Sequence, residues 1–343
     1  MDMPLKKLVR NSVLNILGTG LNRISRYVVV IVAIKVLGVT NYGYYVIGLT
    51  IVAIGQIIGT LGLHYAVFRF IPIFRKRGEI TKIKGVILFC LGSALLLSLA
   101  VTIVLGAFAD VIAFDLYDKP DLLPFIRILA LSLPFMVVST ILINVFKGFN
   151  VIKLKVLLED VVIIQSKILL FLGCLYFGLG TVGILYSYIV SLILGVGLAI
   201  YMLLRLFPEL TNKDINSTCD RREVLSFSIP LSMGGVMNTV LQRTDILTLT
   251  YFLSAGQVGI YSIAQKLAQL VFFVSGSTFA VFSPTIAELL GSGNRDKMQE
   301  YLEKTTRWAL MATFPVFMVI VIFSRSLLGL FGAEFIEGNL VLL

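Results

Sequence analysis

Polar and charged side chains interrupt the apolar segment at residues 11–30, which reads NSVLNILGTGLNRISRYVVV. Asn15, Asn22 and Arg26 are spaced seven and four positions apart, which places them on one face of an α-helix. Arg23 stands beside that face. Arginine offers a planar fork that binds phosphate oxygens in pairs, and it keeps its charge when desolvated. The spacing therefore predicts a helix that presents Asn22, Arg23 and Arg26 to an anionic group.

A second apolar segment repeats this pattern between residues 225 and 251. Asn238, Gln242 and Asp245 share one helical face, and Arg243 is adjacent. These residues predict a second wall of a substrate-binding cavity, with Asp245 as a candidate site for H+ or Na+ coupling. The alternative is structural, with Arg243 neutralising Asp245.

Two further apolar segments each carry a lysine. Lys266 belongs to a polar row with Ser262, Gln265 and Gln269 and is a third candidate for the cavity. Lys167 lies in an otherwise apolar run and could pair with Asp160. Because lysine can also extend along apolar surface toward water, Lys266 has a structural alternative as well.

These segments belong to a chain that water alone could not keep folded. Of its 343 residues, 58% are hydrophobic and 14% are charged, where soluble domains carry about 25% charged residues. Residues 85–109 contain no ionisable side chain and exceed the roughly 20 residues that cross a bilayer. The composition therefore predicts an integral membrane protein.

The apolar runs predict nine complete transmembrane helices and the start of a tenth near residue 339. Only helices are expected, because a single segment in lipid must satisfy its own backbone hydrogen bonds. The fold class is thus an all-α integral membrane protein with two pseudo-symmetric helix bundles, of which the second is incomplete. The nine predicted spans are 12–36, 44–71, 85–109, 122–146, 156–177, 181–204, 225–251, 258–288 and 306–330.

Lysine and arginine residues cluster in alternate connections between these spans. Nineteen lie in the N-terminal segment and on its side of the membrane, whereas the opposite connections hold only Lys119 clearly within a loop. Because positive residues mark the cytoplasmic side, the N-terminus is predicted to be cytoplasmic in a multi-pass protein of the cell membrane. The net charge of +10 lies in these clusters, so it indicates contact with membrane lipids and no nucleic acid.

The three cysteines are scattered, and no catalytic, metal or cofactor site is predicted. The stretch LGVTNYGYY at residues 37–45 returns as LSAGQVGIY at residues 253–261. Six spans separate the copies, so both halves enter the membrane in the same orientation, as in transporters built from parallel repeats. This predicts an N-terminal six-helix lobe at 1–205, a cytoplasmic linker at 206–224 and a C-terminal lobe at 225–343.

Three stretches carry a resemblance to a known family. Residues 37–72 contain an LG-x-x-x-YG-x-Y turn followed by RFIP, residues 243–267 read RTDILTLTYFLSAGQVGIYSIAQKL, and residues 327–335 read LLGLFGAEF. Together they resemble bacterial and archaeal polysaccharide-export flippases of the O-antigen type. These proteins belong to the multidrug/oligosaccharidyl-lipid/polysaccharide exporter superfamily.

The resemblance implies a V-shaped pair of six-helix bundles that alternates between inward-open and outward-open states. Its members carry polyprenyl-phosphate- or diphosphate-linked oligosaccharides outward for cell-surface polysaccharide assembly, and glycan-assembly enzymes are then candidate partners. Their first-helix arginines meet the lipid phosphate, which carries over to Arg23 and Arg26 and more loosely to Arg243. Since members have twelve or fourteen spans, the resemblance also leads us to expect that this chain is truncated at its C-terminus.

Three other functions remain as alternatives. A peptidoglycan-precursor lipid flippase would need the same cationic cavity, and a drug or metabolite cation antiporter would need an acidic one. A membrane glycan polymerase or glycosyltransferase would need acid and base residues facing a sugar donor. The predicted external loops are short and their acids stand singly, so the sequence favours a transporter over an enzyme.

Overall fold

The computed structural model describes the backbone of residues 3–210, 212, 216–291 and 295–342. It describes the side chains of the same residues apart from 3–26, 152, 159–160 and 277–297. This part of the chain is helical and contains no β-strand. The helices are α1 Met3–Thr60, α2 Leu63–Arg77, α3 Ile80–Ala107, α4 Leu123–Ala130, α5 Leu133–Gly148, α6 Ile152–Val156, α7 Ile163–Tyr176, α8 Gly180–Leu206, α9 Arg221–Phe252, α10 Ala255–Gly291, α11 Arg295–Ile322, α12 Ser324–Gly329 and α13 Asn339–Leu342.

Every predicted span falls on helical structure. Six described helices are long and apolar enough to cross a membrane, and the bent pair formed by α4 and α5 makes a seventh. The count differs from nine for two reasons. The first two predicted spans meet at a kink at Gly38, and the stretch Tyr27–Thr60 is counted as a single span. The fifth predicted span is a π-helical segment, Leu157–Val162, followed by α7, whose 14 residues are short for a crossing.

The second and fourth predicted spans are broken rather than straight. The second breaks between α1 and α2, where Leu61 and Gly62 have φ of 42° and 69°. In the fourth, α4 and α5 meet at 44° because Pro134 has no N–H for the carbonyl of Ala130. The Thr102 hydroxyl of α3 lies 3.4 Å from that carbonyl, and its shorter hydrogen bond, at 2.8 Å, goes to the Ser98 carbonyl of its own helix.

By packing, the described helices form two units. One comprises Met1–Leu37 with Tyr44–Leu253, and the other comprises Gly38–Gly43 with Ser254–Leu343. These units are defined by contact, whereas the lobes predicted at 1–205 and 225–343 are defined by the sequence repeat. The lobe boundaries and the role of residues 206–224 as a linker therefore stay predictions.

The first unit has its core where α2, α3 and α5 pack together and where Gly55 and Gly59 of α1 lie against α3 and α5, and α8 packs against α5 and α7. The second unit packs α10 against α11 and against the segment Ala333–Gly338. Large apolar side chains such as Leu96, Ile103 and Phe272 remain more than 70% exposed, as expected of surfaces that face lipid tails. The fully buried side chains of the first core include Ile47, Leu63, Ile71, Ile87, Ile126, Leu129, Ile141 and Phe146.

Helix α9 is fixed to the first unit at both of its ends. Near its start, Ser228 is buried and its carbonyl lies against Gly62. At its end, the Lys119 ammonium donates a hydrogen bond to the carbonyl of Thr250 at 2.7 Å. Burial lowers the pKa of Lys119, the lysine that the sequence places in an external loop. The middle of α9 is consequently positioned by two anchored ends.

Candidate functional site

The polar row of α9 lies in the least packed part of that helix. Ser232 and Ile246 are buried, but none of the residues between them is. Within this stretch, Gln242 Nε2 donates a hydrogen bond to Asn238 Oδ1 at 3.2 Å, and both side chains are exposed. The predicted spacing of four therefore produces two connected amide groups on an open part of the helix.

Arg243 and Asp245 are half-buried on the same helix but do not form an ion pair. Side chains two residues apart on an α-helix point in different directions and cannot face each other. Asp245 Oδ1 accepts a hydrogen bond from the backbone N–H of Ile246 at 2.8 Å. Salt bridges between described side chains join other residues, namely Lys82 with Glu79, Arg127 with Asp110 and Lys304 with Glu300. The structural alternative, in which Asp245 neutralises Arg243, therefore does not hold here.

The first predicted polar row, with Asn22, Arg23 and Arg26, lies outside the described side chains. The backbone of α1 is helical at these positions, which is the condition for the predicted spacing to place Asn22 and Arg26 on one face. Their contact with an anion stays a prediction.

Lys266 is held by a tyrosine within the second unit. Its ammonium donates a hydrogen bond to the Tyr42 hydroxyl at 2.6 Å and lies 5.2 Å from the centre of the same ring. Tyr42 is only 1% exposed and packs edge-on against Phe335. Its neighbour in the predicted row, Ser262, is buried and donates its hydroxyl to the Gly259 carbonyl. Part of the third polar row thus serves the protein's own packing.

Lys167 has a similar setting within the first unit. Its ammonium donates a hydrogen bond to the Tyr45 hydroxyl at 2.9 Å and lies 4.7 Å from the centre of the Tyr188 ring. An ammonium over an aromatic face gains roughly 0.5–2 kcal/mol. The predicted alternative partner, Asp160, lies outside the described side chains. The sequence pattern did not predict that Tyr42 and Tyr45 bind these lysines, because the aromatic turn motif served only as evidence for the repeat.

An apolar cavity of about 520 Å³ lies within the first unit, between α1, α3 and α9. Its size falls within the roughly 300–1,000 Å³ of typical ligand sites. Among its described lining residues, Tyr117 alone has a polar side-chain group and the others are aliphatic or glycine, so the cavity suits a hydrocarbon chain. The lining residues are Ile51, Ile54, Gly55, Ile58, Ala100, Val101, Val104, Leu105, Ile112, Leu116, Tyr117 and Leu247.

The described side chains contain no group of three or more His, Cys, Asp or Glu that could hold a metal ion. Within the first unit, the candidate site is the amide pair of α9 with Arg243 and Asp245, and the same unit contains the apolar cavity beside Leu247. Such an arrangement can bind and release a polar, charged molecule that carries a hydrocarbon part.

Solved structures show which known proteins share this fold. A multidrug resistance MATE family transporter of the MOP superfamily, in an inward-facing conformation, is 20% identical over 91% of this chain and 78% of its own, with a TM-score of 0.68. A MOP superfamily transporter from Pyrococcus furiosus Vc1 is 19% identical over 98% of this chain and 77% of its own, with a TM-score of 0.69. The latter is described by a reverse polarity of its binding pocket, which suggests a different function.

The expected fold class, with two pseudo-symmetric helix bundles, is confirmed by these matches, and the protein is a multi-pass membrane transporter of the MOP superfamily. A sequence model described as "Polysaccharide biosynthesis protein" matches residues 8–290. The chain belongs to the polysaccharide biosynthesis protein family, as its sequence motifs predicted. Among curated proteins, none matches this sequence.

Proposed function

We propose that this protein moves polyprenyl-phosphate- or diphosphate-linked oligosaccharides from the cytoplasmic to the outer leaflet of the cell membrane by alternating access. Membership of the polysaccharide biosynthesis family supports the process. The observation that carries the substrate class is Arg243, a half-buried guanidinium on the open stretch of α9 that forms no salt bridge with a described side chain. A phosphate group of the substrate would supply the missing anion.

The candidate residues divide by chemistry. Arg23, Arg26 and Arg243 bind the phosphate, because each can donate two parallel hydrogen bonds to its oxygens. The amides of Asn22, Asn238 and Gln242 bind the polar part of the substrate, and Lys266 adds positive charge. Asp245 is the candidate for H+ or Na+ coupling, since an ionisable carboxylate within a span usually serves transport.

The apolar cavity supports a lipid-linked substrate rather than a free sugar. A polyprenyl chain needs an apolar path while its phosphate and glycan cross, and the cavity offers aliphatic walls beside Leu247 of α9. The P. furiosus relative is a precedent in this fold for a change of pocket polarity that accompanies a suggested change of function. A cationic pocket in this chain would likewise favour anionic substrates over the cations that a cation exporter carries.

The test is a leaflet-exchange assay in proteoliposomes with a fluorescent polyprenyl-diphosphate oligosaccharide. The wild-type chain is compared with Arg243→Ala and with Arg23→Ala/Arg26→Ala. We expect each loss of an arginine–phosphate contact to slow exchange by about tenfold to a hundredfold, the equivalent of roughly 1.5–3 kcal/mol for a hydrogen bond to a charged group. Arg243→Lys should recover part of the rate, because it restores charge without the planar fork.

The matched control is Arg127→Ala, which removes an exposed arginine that pairs with Asp110 outside the polar rows. It should leave exchange unchanged. Equal exchange in the wild type and in both arginine variants would overturn the proposal. In that case cationic drugs would be tested next, because the multidrug transporters share the fold. Lipid-linked peptidoglycan precursors, run in parallel, separate the two flippase alternatives.

The proposal also assigns an orientation. The N-terminus and the basic connections lie on the cytoplasmic side, where lipid-linked glycans are loaded, and glycan-assembly enzymes would act before and after transport. Cysteine labelling from either side of sealed vesicles checks this, with Asn150→Cys expected to react from the cytoplasmic side and Asp115→Cys from the outside.

A further inference from the structure

A basic groove lies where α2 and α5 end, within the first unit and apart from the polar row of α9. Its volume is about 470 Å³, and none of its described lining residues is acidic. Three of them are cations, of which Arg75 and Lys76 are exposed and Lys147 is half-buried. The lining residues are Pro72, Arg75, Lys76, Lys147, Gly148 and Asn150.

The groove has a fixed shape because its two helix ends are packed together. A Cβ on Gly148 would lie only 3.1 Å from the Val67 carbonyl oxygen and from Ile71, so the absence of a side chain lets α5 approach α2. Arg75 Nη1 donates a hydrogen bond to the Phe149 carbonyl at 2.9 Å. Phe149 is buried and stacks on Phe207 with ring centres 3.6 Å apart. Packed groups thus form the floor of the groove, and Lys76 and Lys147 can contact a ligand.

Helix ends alone do not explain this cluster. Each helix C-terminus carries about half a negative charge, so the two ends supply roughly one negative charge against three cations. The carbonyl that follows α5 is already satisfied by Arg75. The groove therefore keeps an excess of about two positive charges, which a phosphate carrying one or two negative charges would match.

We propose that this groove binds the phosphate group of a membrane lipid. Basic pockets between transmembrane helices on the cytoplasmic side bind lipid headgroups, and the groove lies at the helix ends that the charge pattern places on that side. Asn150 adds an amide at the rim. The phosphate can come from an anionic phospholipid, which would be a structural lipid, or from a polyprenyl phosphate, which would make the groove a loading site.

Native mass spectrometry of the detergent-solubilised chain tests the site without any transport. Phosphatidylglycerol, phosphatidylcholine and undecaprenyl phosphate are each titrated onto the wild type and onto Lys76→Gln/Lys147→Gln. Arg75 is kept, because it supports the backbone of the groove. We expect the variant to bind the lipid phosphate about thirtyfold more weakly, since each of its two lost basic residues contributes roughly 1 kcal/mol near a membrane surface.

The matched control is Arg77→Gln/Arg205→Gln, which removes the same charge from exposed residues that do not line the groove. Its affinity should stay within about twofold of the wild type. Equal losses in both variants, or none in either, would overturn the proposal. If the groove variant fails to fold, the exposed Lys76→Gln alone should still weaken binding measurably.

The lipid arms separate the two sources. Tighter binding of undecaprenyl phosphate, with displacement of phosphatidylglycerol, identifies a loading site. Preference for phosphatidylglycerol identifies a structural lipid. Because the readout is binding, its failure leaves the flippase proposal standing, and a failed exchange assay leaves the groove standing.

Discussion

The two copies of the repeated turn join their helical segments through different local structures. In the copy at residues 37–45, the two helical parts of α1 meet at Gly38, which has non-helical angles of φ 71° and ψ 173°. In the copy at residues 253–261, the helix stops: α9 ends at Phe252 and α10 begins at Ala255. Both copies join two helical segments, the first through a single glycine and the second through the two residues between α9 and α10.

In the second copy, a serine stands in place of the glycine and caps the start of α10. Ser254 precedes α10. Its backbone N–H and its hydroxyl donate hydrogen bonds to Gln257 Oε1 at 3.1 Å and 3.2 Å. In return, the Gln257 backbone N–H donates to the Ser254 hydroxyl at 3.4 Å. This reciprocal arrangement is a capping box, which satisfies donors left free at a helix start.

Both copies keep a glycine for packing. Gly43 and Gly259 correspond in the repeat, and both lie where the start of α10 meets residues 38–43 in the second unit. A Cβ on Gly43 would overlap the carbonyl of Ala255, and one on Gly259 would lie 3.2 Å from the backbone nitrogen of Gly43. The glycine shared by the two copies thus allows close approach of the backbones, because small residues let membrane helices meet. It does not set the geometry of the turn.

The largest expected effect is at this contact. Gly43→Ala should lower the free energy of unfolding by at least about 3 kcal/mol, because the new methyl overlaps backbone that cannot rotate away. Unfolding by SDS titration measures it. Gly259→Ala should cost less, since its nearest atom would be 3.0 Å away. The control is Gly92→Ala in open space on α3, and an equal loss there would contradict the contact as the cause.

Gly38→Ala should come next, with a loss of about 2 kcal/mol. A side chain at φ 71° and ψ 173° is strained regardless of the free space around it. Asparagine tolerates the left-handed helical region but not this extended one, so Gly38→Asn should not rescue stability. The same SDS titration compares both with the wild type, and an unchanged Gly38→Ala would refute the strain.

Tyr42→Phe should cost about 1.5 kcal/mol, because it removes a hydrogen bond to the Lys266 ammonium. The repeat offers no equivalent bond, since Val258 stands at the matching position of the second copy. A double-mutant cycle with Lys266→Met isolates the pair, and additive losses would argue against it. Tyr44→Phe is the matched control, because no described side chain shares a hydrogen bond with its hydroxyl.

The smallest effect is expected for Ser254→Ala, a loss of about 1 kcal/mol from the missing helix cap. Ser254→Asp should retain most of the stability because aspartate caps equally well. Thermal unfolding of the three proteins gives the order. Should alanine and aspartate fall together, the capping box would not be what separates the second copy from the first.

Much of the architecture could be predicted because helix formation in lipid is a local requirement. An apolar run such as residues 85–109 has to satisfy its backbone within itself, and α3 accordingly covers it. The amide row of Asn238 and Gln242 could be predicted for the same reason, since helical periodicity alone brings them together. Periodicity also bears on Arg243 and Asp245, because a separation of two residues rules out facing side chains.

Other features depend on residues that are distant in the chain. The tyrosine partners of Lys167 and Lys266 come from the repeated turn, 122 and 224 positions away. The basic groove joins Arg75 to Lys147, and the bend at Pro134 lies against Thr102 of another helix. No pattern within one segment contains these pairings.

The sequence by itself determined a helical, multi-span membrane protein, its family, its internal repeat and the polar rows along single helices. Apolar length and the 3.6-residue period are enough for the spans and the polar rows, and the recurring motifs are enough for the repeat and the family. Only the tertiary structure decided which cations have protein partners, where helices bend and where cavities form. Those outcomes depend on how side chains of different helices fit together, which the composition and period of one helix do not specify.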